Sequence, residues 1–173
     1  AGDNSMFYTL PELMDGVALT ASMSPGKGST NTATHGSVGV VYTGVEGLTL
    51  KYGQGDSGAA SAEITSTTMY ASYAIGSFTL AVSNSEADKE GAVNREVDAY
   101  QIGYTVTDAM SVTYGSETFE TEGAAVDEEV AKLGVSYTTG GMTISAGAIE
   151  SKGAGNDSSL KTNRWNIDLS FAF

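Results

Sequence analysis

His35 is the only histidine of the chain, and there is no cysteine. His35 closes a polar stretch and centres no motif. General acid–base work needs a positioned partner, so His35 reads as a loop residue. Without cysteine there is neither a disulfide framework nor a Cys-based zinc site. The glycine-rich stretches Gly53-Gln54-Gly55 and Gly153-Ala154-Gly155 open no helix and read as loops, not phosphate cradles. Glu117, Glu120, Glu122, Asp127, Glu128 and Glu129 crowd one stretch. Hard oxygen donors at that density are the type that holds Ca²⁺ or Mg²⁺. No EF-hand spacing is present, so a solvated negative surface is the simpler reading, and no cofactor is expected. Eight basic residues stand against 21 acidic ones, a net charge of −13. Nothing here neutralises phosphates on the scale nucleic-acid binding requires. Four charges fall inside otherwise regular stretches: Lys51, Lys132, Arg164 and Asp168.

Those regular stretches alternate apolar and polar residues, the period of a β-strand. Val17 to Met23, Val38 to Tyr42, Leu48 to Tyr52, Met69 to Ile75 and Phe78 to Val82 each place apolar residues at every second position. So do Tyr100 to Val106, Met110 to Tyr114, Leu133 to Tyr137, Met142 to Ala148 and Trp165 to Phe173. Ten strands result, of roughly 8–11 residues each, long enough to cross a bilayer when tilted. Met6–Leu10 reads as the end of an eleventh. Short turns are expected at Thr43–Gly47, around Gly76, at Thr107–Ala109 and at Thr138–Gly141. Long polar loops are expected at Ser24–His35, Gln54–Thr67, Asn84–Glu96, Glu117–Glu129 and Ser151–Asn163.

Two folds compete for this pattern. A soluble β-sandwich buries its apolar faces against each other. A membrane barrel turns one face to lipid and the other to water. Strand length, the strict alternation of short turns with long loops, and a polar face of small residues favour the second. The expected fold is all-β: an antiparallel up-and-down transmembrane β-barrel, with residues 1–173 as a single domain. Mean hydropathy is −0.09 and no run is long enough for a membrane helix, but barrel strands are apolar on one face only. Tyr42, Tyr73, Tyr104 and Tyr137 each end a strand at a short turn, where an interfacial aromatic girdle is expected. Lys51, Lys132, Arg164 and Asp168 fall on the polar face, as candidate pore-lining charges that bias ion passage. Acid in the loops is expected to favour cations.

Trp165, Ile167, Leu169, Phe171 and Phe173 form an alternating apolar strand ending on Phe173. This resembles the C-terminal signal of bacterial outer-membrane barrels that the barrel assembly machinery reads, and it implies that Phe173 is the natural C-terminus. Asn4-Ser5-Met6-Phe7-Tyr8-Thr9-Leu10-Pro11-Glu12-Leu13 followed by Gly16 resembles a segment of Gram-negative general diffusion porins, with Leu10 where the family pattern has Ser and Leu13 where it has Phe. The resemblance implies the C-terminal portion of a 16-stranded trimeric porin, lacking the first five strands and the constriction loop. It also implies a cell outer-membrane location, contact with lipid and lipopolysaccharide (which Ca²⁺ or Mg²⁺ at the acidic loops would bridge), homotrimer assembly, and passage of ions and small hydrophilic solutes.

The expected function is therefore a water-filled channel for passive diffusion, cation-preferring, with no enzymatic activity. The alternative is a smaller complete outer-membrane barrel with an adhesive, structural or enzymatic role. An enzyme requires convergent catalytic residues at the loop ends; a closed barrel requires bulky interior side chains.

Overall fold

The computed structural model describes residues 5–11, 14–25, 34–59, 62–89 and 91–172, with the backbone alone at 58, 59 and 62. Eleven antiparallel strands form one sheet whose order follows the chain. They are β1 (Met6–Thr9), β2 (Val17–Ser24), β3 (His35–Tyr42), β4 (Leu48–Ala59), β5 (Ala62–Ile75) and β6 (Phe78–Lys89), then β7 (Arg95–Thr107), β8 (Met110–Thr121), β9 (Glu128–Thr139), β10 (Met142–Lys152) and β11 (Lys161–Phe171). Among the described residues one 3-10 turn, Ala154–Asn156, interrupts the pattern.

The expected strands form, but most run further than expected. β4 and β5 consume nearly all of the Gln54–Thr67 loop. β6 and β7 enter Asn84–Glu96, and β8 and β9 enter Glu117–Glu129, which leaves short tips. The physical reason is that a ladder is held by backbone hydrogen bonds, so it continues past the point where the faces cease to differ in polarity. Strands of 12–14 residues rise roughly 40–46 Å at ~3.3 Å per residue, more than a tilted strand needs to cross the hydrocarbon. Most of the Ser24–His35 loop, residues 26–33, lies outside the described residues, as do Asn4, Glu12, Leu13 and Phe173.

The chain divides into two compact units. The first comprises Ala1–Ser72 with Ser83–Glu96. Its ladders are continuous, with Leu19 facing Val40 and Val40 facing Tyr52, so the three side chains share one face. One register step away, Thr20, Gly39 and Gly53 share the other. Gly39 leaves room there for its neighbour: a methyl group on it would stand 2.8 Å from Oγ1 of Thr20, which would have to turn away.

The second unit comprises Tyr73–Val82 with Val97–Phe173. The row Val112, Val135, Ala146, Ile167 lies on one face, and the row Thr113, Gly134, Gly147, Asn166 on the other. Its longest connection is the best built. Gly153 adopts φ 69°, Gly155 φ 64° and Asn156 φ 64°, left-handed values that glycine takes freely and asparagine tolerates. Asn156 Nδ2 donates to the Val126 carbonyl at 2.8 Å, and the Gly155 N–H to Glu128 Oε2 at 3.3 Å. Gly153 is buried against the Asp127 carbonyl with no room for a side chain.

Among the described residues no hydrophobic side chain is buried. Trp165 is 78 % exposed and Ile167 61 %. The apolar face therefore has no protein partner within the chain.

Candidate channel wall

Alternation within each ladder sorts every charged side chain onto one face or the other. Lys51 lies on the polar face of the first unit, paired in register with Val41, and its Nζ sits 5.2 Å from the ring centre of Tyr70. Lys132 and Arg164 occupy one row of the polar face of the second unit, each directly opposite Ile149. Gly115 completes that row beyond Lys132. Asp168 lies in the row Ser111, Ser136, Ser145. The four sequence-selected charges thus share the polar side of their strands, but only Lys132 and Arg164 share a row.

Arg164 and Asp168 do not pair. Asn166, between them on the same face, donates its Nδ2 hydrogen to Oδ2 of Asp168. Among the described residues Lys132 and Arg164 have no carboxylate within 4.0 Å, since both ion pairs there belong to Glu150, with Lys152 at 3.0 Å and Lys161 at 2.8 Å. Sequence reading missed several polar-face residues that are not small: Phe7 (opposite Ser22), Phe119 (opposite Glu128) and Ile149. Continuing the alternation beyond the assigned strand ends finds them.

The acidic surplus is also sorted by face. In the first unit Asp56, Glu63, Glu86, Asp88 and Glu96 alternate onto the apolar side, in the strand extensions, while Lys89 and Arg95 alternate with Lys51 onto the polar side. Two contacts anchor this parity: Thr65 Oγ1 donates to Asp56 at 3.2 Å, and Asn84 Nδ2 to Glu96 at 2.6 Å. In the second unit Asp98, Glu120, Glu129 and Glu150 take the apolar side with Lys152 and Lys161, and Glu117 and Glu128 the polar side. Glu128 is turned to the loop, where it accepts from Gly155. The stretch read as one acidic loop is therefore two strand ends with carboxylates on opposite faces. Among the described residues no three His, Asp or Glu side chains converge as a metal site requires. In the β10–β11 loop the Ser159 hydroxyl, at 2.7 Å, and backbone N–H, at 2.9 Å, both donate to Asp157 and hold its carboxyl below the usual aspartate range.

Tyr42 faces Val17 and Leu50, and Tyr137 faces Met110 and Ile144, all on the apolar face beside short turns. Tyr104 packs on Phe78, ring centres 4.7 Å apart, and Tyr73 is 42 % exposed. Tyr100 and Tyr114, with ring centres 6.1 Å apart, lie near the loop ends of β7 and β8. Trp165, Ile167, Leu169 and Phe171 continue the apolar face on β11.

An antiparallel up-and-down sheet with an apolar face on which no described side chain is buried and a polar, glycine-rich, charged opposite face is the wall of a membrane barrel. The family model for Gram-negative porins matches residues 1–167, and the chain belongs to that family, whose proteins are β-barrels of the outer membrane. A porin refined at 1.8 Å resolution superimposes with a TM-score of 0.74 at 18 % identity, over 96 % of this chain and 60 % of that one. The anion-selective porin of Comamonas acidovorans gives 0.70 at 13 % identity, over 86 % and 48 %. OmpF of Salmonella typhi, in complex with daunomycin, gives 0.70 at 13 %, over 84 % and 53 %. At these identities the likeness concerns the fold. The chain spans 48–64 % of the length of the solved proteins it resembles. No curated protein sequence matches it.

Proposed function

We propose that the protein forms a water-filled channel through which ions and small hydrophilic solutes diffuse passively, and that it is not an enzyme. The observation that carries this is the pairing of an apolar face without any buried hydrophobic core among the described residues with a polar face built on Gly, Ser and Thr rows. Lipid satisfies the first and water the second. In this reading Lys51, Lys132, Arg164 and Asp168 line the pore, Tyr42, Tyr73, Tyr104 and Tyr137 sit at one membrane interface, and the protein assembles as a homotrimer in contact with lipopolysaccharide. The alternating residues Trp165, Ile167, Leu169, Phe171 and Phe173 are the segment the assembly machinery reads. Divalent cations, where bound, sit on the outward carboxylates. The cation preference expected from the net charge applies at the mouth; the wall carries a different sign.

The test is single-channel recording of the native protein in a planar bilayer under a salt gradient. Large, long-lived steps in groups of three support the trimeric channel. Absence of conductance from verified folded protein overturns it in favour of a plugged, adhesive or enzymatic barrel.

A further inference from the structure

We infer that Lys132 and Arg164 form an oxyanion-holding station on the channel wall, a place where phosphate- or carboxylate-bearing solutes pause during passage. This rests on the channel reading and adds to it a solute class and two residues.

The register puts the two residues in one row with Ile149 between them. Adjacent strands are ~4.8 Å apart, so their Cα atoms are separated by roughly 10 Å, a span that two long cationic side chains can close over β10. Room for them comes from glycines. Gly115 stands directly opposite Lys132, and Gly134 and Gly147 face each other one step along. A methyl built on Gly147 would stand 3.5 Å from Lys132 Cε and 2.8 Å from Asn166 Oδ1. The lysine stem thus lies across Gly147 toward β11, the side from which Arg164 projects. A methyl on Gly134 would meet only the Ala146 and Thr113 carbonyl oxygens, each at 3.9 Å, so the wall there is hollow.

Electrostatics completes the station. Neither cation has a carboxylate partner among the described residues, whereas the nearby acids are engaged: Asp168 by Asn166, and Glu128 by the Gly155 N–H. Glu117, one step toward the loops in the row of Val130 and Ser151, is the acid that faces the station. An Arg fork beside a Lys point charge matches an oxyanion, the guanidinium binding two oxygens and the ammonium a third. The expectation from a net charge of −13 is the reverse. The wall separates from that sum because the acids lie mainly on the other face.

Inorganic phosphate is the probe, added to one side of a planar bilayer holding the native protein in chloride. Wild-type channels show brief phosphate-dependent blockades that K132Q/R164Q channels lack. The double variant also lowers the anion-to-cation permeability ratio, by roughly 25-fold for each charge removed, since one unit charge at ~4 Å in water shifts anion and cation about fivefold each in opposite senses. R164K keeps the ratio but shortens the blockades, because charge remains and the fork is lost. Trypsin resistance and heat-modifiable gel mobility establish that each variant is folded. A conducting channel whose blockades and permeability ratio ignore both substitutions overturns the station alone. Folded wild-type protein that conducts nothing overturns the channel reading, and the station with it.

Discussion

Replacing Val135 by arginine tests the assignment of faces most directly. Val135 lies in the row Val112, Ala146, Ile167. Two residues along the strand on one side is the row of Met110, Tyr137, Ile144 and Leu169; two on the other is that of Tyr114, Leu133, Ala148 and Trp165. The first polar row on the loop side, with Ala131, Glu150 and Asn163, is four residues away, roughly 13 Å at 3.3 Å per residue. That is beyond the reach of an arginine side chain that snorkels. An arginine on the lipid face near the midplane costs about 2–4 kcal/mol, and 3 kcal/mol is roughly a hundredfold in the folded-to-unfolded ratio. The control is its neighbour, Gly134→Arg, on the hollow polar face, where the same side chain meets water and the cost stays within about 1 kcal/mol. Both are read by urea titration in lipid vesicles, following gel mobility and emission of Trp165. Trp165 is the only tryptophan and stands on the apolar face, so its blue shift reports insertion. If V135R is as stable as G134R, the faces are misassigned and the membrane reading falls.

Other outcomes follow from the loops and the outward ion pairs. Gly153→Ala places a methyl against the Asp127 carbonyl at a φ of 69°, at a cost of about 1–3 kcal/mol from strain; limited proteolysis then cuts within residues 153–160 while the strands stay protected. Asp157 has a lowered folded-state pKa, so its contribution to loop order is present above the ordinary aspartate pKa and is lost as pH falls through the depressed value. Ser159→Ala removes the hydroxyl but keeps the backbone N–H donor, so it weakens that dependence without abolishing it, measured by amide exchange at residues 159 and 160 against pH. Glu150→Gln breaks both ion pairs, which are half exposed; thermal stability changes little and the permeability ratio does not move, since Glu150 faces away from the wall.

The strand centres were legible in the sequence because each face meets a different solvent there, and period 2 records that difference. Val135 and Gly134, Ile167 and Asn166 were separable on sight. The strand ends were not. Glu150, Ser151 and Lys152 alternate no hydropathy, and only the backbone ladder carries β10 to Lys152. Asn166 as the partner of Asp168 was within reach, being the residue between Arg164 and Asp168 on one face. The seat of the β10–β11 loop on Val126 and Asp127 was not, because a contact between residues 30 apart leaves no local pattern beyond its glycines.

Charge was the quantity most misled by summation. A total of −13 describes how the molecule migrates in a field, not the potential a solute meets beside the wall. Charges in solvent are screened over about 8 Å at physiological ionic strength, and a sheet with lipid behind it separates its two faces. Outward carboxylates such as Asp56, Glu86, Glu96 and Glu129 lie in the strand extensions, beyond the apolar rows, where the penalty for a charge on the lipid side falls towards zero. There acid is tolerated at little cost and accumulates without touching the channel. Within the apolar rows the polar face is the only place a charge fits, and there Lys51, Lys132 and Arg164 outnumber Asp168. Along the centres of these strands the carboxylates therefore lie mainly on the outer side, and on the polar face the cations outnumber the acid.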